Sequence, residues 1–154
     1  MQNAFLGKFK KFNASNFKVG IVAAQFNTAT SDQLVKAALK KLAEYGVNKQ
    51  NIVIKKVSGC VEVPLILKTL AESGQYDCLV AIGTIIRGDT PHFDFVCKMI
   101  ADGILRVTLD FNIPIGFGVL TLENVSQAKK RHEVGGWAAE AALQSSKVIK
   151  EIRQ

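Results

Sequence analysis

The amino-acid sequence predicts an α/β fold: a three-layer α/β/α sandwich around a four-stranded parallel sheet. Short apolar runs alternate with longer amphipathic stretches along the chain. The runs carry little polar alternation, the mark of strands buried on both faces. The stretches between them are long enough for helical crossovers, and right-handed connections put helices on both faces of such a sheet.

The run Val19–Ala24 is too short for a helix and reads as the first strand. A polar stretch over residues 27–32 supplies helix-capping residues, and residues 31–45 form a helix with Leu34, Val35, Ala38, Leu39 and Leu42 on one stripe. Gly46 closes it as a left-handed cap. The unit then recurs. Residues 51–57 read as a strand, Ser58 and Gly59 as a turn, and a helix opens near Pro64 and closes at Gly74. Residues 76–83 form the third strand and 84–90 a loop. Thr90 as N-cap and Pro91 as first helical residue start a helix running to about Leu105. Residues 113–120 are the fourth strand; residues 123–131 and 137–152 form two closing helices split by Gly135 and Gly136. The segment before Val19 lies outside this alternation but holds four of the nine phenylalanines, Phe5, Phe9, Phe12 and Phe17. It is expected to pack on its own sheet edge or to add to a neighbouring subunit.

A chain of 154 residues, with 48% apolar and 21% charged residues, 12 Gly and 3 Pro, fits one globular domain over residues 1–154, its first 17 residues forming an arm. Disorder and fibrous repeats are excluded. The formal charge of +7 arises from 20 basic against 13 acidic residues. The lysines cluster at Lys8, Lys10, Lys11 and Lys18 and in the run Lys129, Lys130, Arg131, or lie scattered along helices. No basic stretch matches a nucleic-acid recognition motif, so a small anionic ligand is expected, and neither nucleic acid nor membrane. Cys60, Cys78 and Cys97 are spaced for neither zinc nor a redox pair, which fits a reducing compartment. With no secretory leader and no apolar run near the ~20 residues of a membrane span, a cytoplasmic protein is expected.

Ligands of an open parallel sheet bind beyond the carboxyl ends of its strands. Four places qualify: residues 25–27, residues 58–62, residues 84–92, and the strand end around Phe117. The dinucleotide, P-loop and serine-hydrolase signatures are absent. Asp89, His92 and Asp94 would need to converge to hold a metal, and no metal is expected. Thr90 and Pro91 open a helix whose free N–H groups suit a phosphate, and His92 in that first turn is disfavoured as a cation, leaving a proton acceptor. Glu62 either complements a helix dipole or binds hydroxyls. Phe26, beside Asn27, is either a core residue or a platform for a flat heterocycle. Arg131 is either part of a solvated run or a phosphate fork.

Read in order, Gln25-Phe26-Asn27, residues 57–64 (Val-Ser-Gly-Cys-Val-Glu-Val-Pro), residues 81–94 (Ala-Ile-Gly-Thr-Ile-Ile-Arg-Gly-Asp-Thr-Pro-His-Phe-Asp), residues 117–121, and Glu123-Asn124 leading to Arg131 resemble the lumazine synthase family. The resemblance runs from about residue 17 to the C-terminus and is most specific over residues 87–94. It implies a flavodoxin-like enzyme that condenses 5-amino-6-(D-ribitylamino)uracil with 3,4-dihydroxy-2-butanone 4-phosphate, without cofactor or metal. By position it implies that Phe26 stacks on the pyrimidine, that Cys60, Val61 and Glu62 hold the ribityl chain, and that Thr84, Ile85 and Ile86 meet the uracil edge. Asp89 and Thr90 fall on the phosphate loop, Arg131 on the phosphate-binding arginine and His92 on the proton-transfer histidine. Phe117 and Arg131 would come from the adjacent subunit of a homo-oligomer, a pentamer by the resemblance, with riboflavin synthase as a further partner. Two departures stand out: Val61 replaces a common aromatic, and the connection after Arg131 is short and lacks the lysine expected there. They motivate the alternatives of a flavin- or lumazine-binding protein without turnover, or an archaeal-type riboflavin synthase.

Overall fold

The computed structural model describes residue 7 and residues 9–154; Phe5 and Lys8 lie outside the described residues. In chain order the elements are β1 (Val19–Ala24), α1 (Thr28–Glu44), β2 (Ile52–Val57), α2 (Val63–Glu72), β3 (Cys78–Ile86), α3 (His92–Asp110), β4 (Ile115–Leu122) and α4 (Val134–Ile152). The strands pair in the order β2-β1-β3-β4, all parallel. As predicted, this is a four-stranded α/β/α sandwich of flavodoxin-like order.

Strand side chains alternate between two apolar layers, as the pleat requires. Cys78, Val80 and Ile82 of β3 join Leu34, Ala38 and Leu42 of α1 and Ala139 and Leu143 of α4 on one face. Leu79 and Ala81 join Leu67 and Leu70 of α2 and Ile100 and Ile104 of α3 on the other. At the end of α1, Gly46 adopts φ 78° and the Val47 N–H reaches back to the Leu42 carbonyl at 3.1 Å. That pattern closes the helix with the glycine cap expected from sequence.

Several boundaries differ from the sequence reading. β3 runs on through Thr84, Ile85 and Ile86, because β4 continues beside it with Thr84 opposite Leu120 and Ile86 opposite Leu122. The ladder thus holds as strand three residues that had read as loop. Likewise α3 extends to Asp110, past the expected end near Leu105. Phe117 is not at a strand end: it is the third residue of β4, opposite Ala81 in the middle of β3.

Gly135 and Gly136 do not split two helices either. They lie inside α4, and residues 125–130 form only a 3-10 turn before it. A Cβ on Gly135 would collide with the Leu34 carbonyl of α1, and one on Gly136 would come within 3.2 Å of the Ala37 carbonyl oxygen. The pair is where two helix backbones touch, so its lack of side chains serves packing.

Within the N-terminal segment, Phe12 stacks 5.5 Å from Phe17 and 5.3 Å from Tyr45, centroid to centroid. Lys147 and Lys150 of α4 lie over these two phenylalanine rings. Residues 12–17 therefore pack on the chain's own α1–α4 layer, not on the sheet edge. β2 pairs with β1 alone among the described residues, leaving its other edge open.

Candidate active site

The order β2-β1-β3-β4 reverses direction between β1 and β3, and the connections leave their carboxyl ends on opposite faces of the sheet. A crevice opens at such a switch point. Here it holds a cavity of about 390 Å³ lined by Phe26, Asn27, Val61, Thr84, Ile85 and His92, together with Gly59, Cys60, Ile86, Gly88, Thr90, Phe93 and Val96.

Backbone pairing sets the first wall. The Gln25 N–H donates to the Val57 carbonyl at 2.8 Å and the Phe26 N–H to Ser58 at 2.9 Å, extending the β1–β2 ladder past the strand ends. This fixes the Phe26 backbone while the residue stays 74% exposed, so Phe26 is not a core residue of the chain. Asn27 takes a left-handed φ of 61°, and its carbonyl accepts the N–H groups of Thr30 and Ser31, which starts α1.

The second wall is the 3-10 turn Cys60–Glu62. Cys60 is buried, its sulfur only 2.5 Å from where a Cβ on Gly83 would stand, so a glycine in β3 gives the thiol its seat. Burial pushes the Cys60 thiol up to about 11, which keeps it protonated and poorly nucleophilic at neutral pH. Glu62 does not line the cavity; its Oε2 accepts the Gly59 N–H at 2.9 Å and closes the turn. That bond is the helix-start role that sequence offered as one alternative.

The third wall is the end of β3 and the start of α3. Thr84 is buried, and its hydroxyl oxygen finds no partner among the described residues. The Thr90 hydroxyl accepts a long hydrogen bond from the His92 N–H at 3.4 Å, but α3 opens at His92 with Pro91 in the N-cap place, one residue later than the sequence suggests, and no side chain caps it. His92 is exposed and faces the cavity from the first turn of α3.

One chain therefore brings together Phe26, Asn27, Cys60, Val61, Thr84, Ile85, Ile86, Thr90 and His92. It does not bring Glu62, Asp89, Phe117 or Arg131 to the cavity. Arg131 is half-buried and donates from Nη1 to the Gln127 carbonyl at 2.8 Å. Asp89, His92 and Asp94 do not gather as a metal site among the described residues. Phe93 and Val96 wall the cavity although sequence reading passed them over. Val96 follows His92 on α3 by four positions, and that helical spacing is a signal the sequence holds for it; Phe93 has none of that kind.

Residues 16–151 match the family described as 6,7-dimethyl-8-ribityllumazine synthase. The chain belongs to that family. It is 44% identical over 124 residues to the 6,7-dimethyl-8-ribityllumazine synthase of Protochlamydia amoebophila (strain UWE25), covering 80% of this chain and 72% of that one. It is 38% identical over 146 residues to the enzyme of the same name from Desulfovibrio desulfuricans (strain ATCC 27774), covering 94% of each. As in the sequence reading, the lumazine synthase motifs around Phe26, Val61 and His92 are the segments that the fold draws to one crevice.

Proposed function

We propose that this chain is a transferase of riboflavin biosynthesis that condenses 5-amino-6-(D-ribitylamino)uracil with 3,4-dihydroxy-2-butanone 4-phosphate to 6,7-dimethyl-8-ribityllumazine, releasing phosphate and water. One observation carries the reading: in a chain of this family, residues far apart in sequence, Phe26, Val61, Thr84, Thr90 and His92, wall a single cavity.

Each residue has a task that its chemistry suits. The exposed Phe26 ring stacks on the pyrimidine, and the ends of β3, Thr84 to Ile86, meet the uracil edge. Cys60 and Val61 line the path of the ribityl chain, and Glu62, outside the lining of the single chain's cavity, accepts from its hydroxyls with the carboxylate oxygen that Gly59 does not use. The turn carrying Asp89 and Thr90 takes the phosphate at the start of α3, where free N–H groups favour an anion. Joining the substrates needs an imine between the uracil amine and the ketone, loss of phosphate, and ring closure with loss of water. Every step moves a proton, and His92 stands where it can move one. The protonated Cys60 thiol is no candidate for covalent catalysis.

The site is completed by a neighbour. Phe117 and Arg131, which do not line the cavity within one chain, reach it from the adjacent subunit of a homo-oligomer, for which we propose a ring of five. The open edge of β2 is where the part of the neighbour's arm ahead of residue 12 would add as a strand. No helix among the described residues is long and apolar enough to cross a membrane. The reading is of a one-domain enzyme that works in the cytoplasm and passes its product to riboflavin synthase.

Supplying both substrates tests the reading, with lumazine absorbance as the readout. Product formation is expected. Tight riboflavin binding without product would favour a binding protein, the reading motivated by the short connection after Arg131. Riboflavin formed from lumazine alone would favour a riboflavin synthase. Light scattering during size exclusion is expected to give about 84 kDa for five chains of 16.8 kDa each. A monomer would overturn the shared site.

A further inference from the structure

Beside the cavity, outside its lining, the Arg87 guanidinium holds acids from two different elements. Its Nε donates to Glu123 Oε2 at 2.8 Å, while Nη1 and Nη2 donate to Asp94 Oδ2 and Oδ1 at 3.2 and 3.0 Å. Its Cζ lies 4.2 Å from the centroid of the Phe93 ring. The Arg87 backbone N–H donates to the Leu122 carbonyl at 2.8 Å, prolonging the β3–β4 ladder.

These contacts join three places. Arg87 is the residue after β3, Glu123 the residue after β4, and Asp94 lies in the first turn of α3. Phe93 is both a buried core residue and a wall of the cavity. One side chain thus clasps both ends of the turn over residues 88–92, which carries Gly88, Thr90 and His92 on the cavity side.

We propose that Arg87 is a positioning residue: by holding Asp94, Phe93 and Glu123 together, it keeps the turn over residues 88–92 in the shape that receives the phosphate-bearing substrate. The inference rests on the reading above that this turn takes the phosphate.

Two physical points favour this role over a merely stabilising one. Asp94 and Glu123 side chains are 63% and 60% exposed, and ion pairs in that setting contribute little to global stability. Yet a planar fork that satisfies a carboxylate on both arms fixes direction as well as distance, which an ammonium does not. The tether therefore acts mainly on the local order of a turn that has few other anchors. The same hydrogen bonds hold the Asp94 carboxyl below the usual carboxylate range, so the clasp stays charged at neutral pH.

The test compares Arg87→Met, Arg87→Lys and Asp94→Asn in the assembled protein. In Arg87→Met we expect KM for the butanone phosphate to rise about tenfold, KM for the uracil substrate to stay within about twofold, and Tm to change little. Inorganic phosphate, titrated by calorimetry, should bind more weakly by a similar factor. Arg87→Lys should recover little of the loss, and adding Asp94→Asn to Arg87→Met should cost nothing further, because the two act as one unit. Should Arg87→Met fail to assemble, Asp94→Asn carries the same comparison. Unchanged KM and phosphate affinity, or an equal rise for both substrates, would overturn the inference while leaving the proposed function standing. Unmodified protein that neither binds phosphate nor makes lumazine would overturn both.

Discussion

Asn27 donates from Nδ2 to the carbonyl oxygen of Thr84 at 3.0 Å, fastening the residue that leaves β1 to the end of β3 across the switch point. The bond comes with a backbone cost, since φ is 61° at Asn27 and a left-handed conformation costs about 1–2 kcal/mol for most side chains, asparagine less than most. Asn27→Leu removes the bond and adds the strain, and should lower the unfolding free energy by about 1–3 kcal/mol. Asn27→Gly should recover part of that. Urea unfolding of the two variants decides it, and equal losses would contradict the strain argument.

The contact of α1 with α4 gives a sharper contrast between adjacent positions. Gly135→Ala puts a methyl into the Leu34 carbonyl and forces the helices apart, whereas Gly136→Ala needs only a few tenths of an ångström of movement near Ala37. Overpacking of this kind costs about 1–3 kcal/mol or more. Gly135→Ala should be the worse by a clear margin in thermal melts, and the reverse order would mean that the helices meet differently.

Tyr45 makes stability depend on alkaline pH. Its hydroxyl donates to Glu140 Oε1 at 2.7 Å and accepts from Gln144 Nε2 at 2.9 Å. Burial first, then the bond to Glu140, raises the phenol from its ordinary 10 to about 12. The neutral form is the one held in the fold. Its contribution is complete below pH 10 and is lost as pH rises through about 12. The stability difference between the unmodified protein and Tyr45→Phe should therefore narrow across that window. A constant difference would show that Tyr45 ionises alike in both states.

The raised Cys60 and Cys78 thiols, pushed by burial to about 11 and about 12, should react slowly with thiol reagents at pH 8 in the folded protein. Cys60→Ala should keep kcat within about tenfold of the unmodified enzyme, because no covalent step is asked of it. A loss of a thousandfold would point to a nucleophile.

His92→Ala should lower kcat by roughly 10²-fold or less, the lower part of the range for general acid–base catalysis, since water can take over part of the proton traffic. Arg131→Ala should instead raise KM for the phosphate substrate. A selective loss of affinity for the uracil would contradict its assignment, and an unchanged rate in His92→Ala would remove that residue from the mechanism.

Much of the site was legible because its pieces are local. Thr90, Pro91 and His92 announce a helix start by residue type, Val19–Ala24 announces a buried strand by hydropathy, and Gly46 announces the end of α1. Phe26 is open between core and platform in sequence; the ladder bonds of Gln25 to Val57 and of Phe26 itself to Ser58 fix its backbone, and its ring stands exposed. The end of β3 reads as loop in sequence because residues 84–86 are strand only while β4 runs beside them.

By itself, then, the sequence determined the four strand-and-helix units, their parallel order of layers, and the residue types at the carboxyl ends, because periodicity, caps and turn residues act over a few positions. Tertiary structure alone decided that Gly135 and Gly136 are a helix contact, that Phe117 sits mid-strand, and that Arg87 clasps Asp94 and Glu123. Each of these depends on a partner from another element, 36 residues away for Glu123, and nothing in the local pattern encodes where the sheet register will bring that partner.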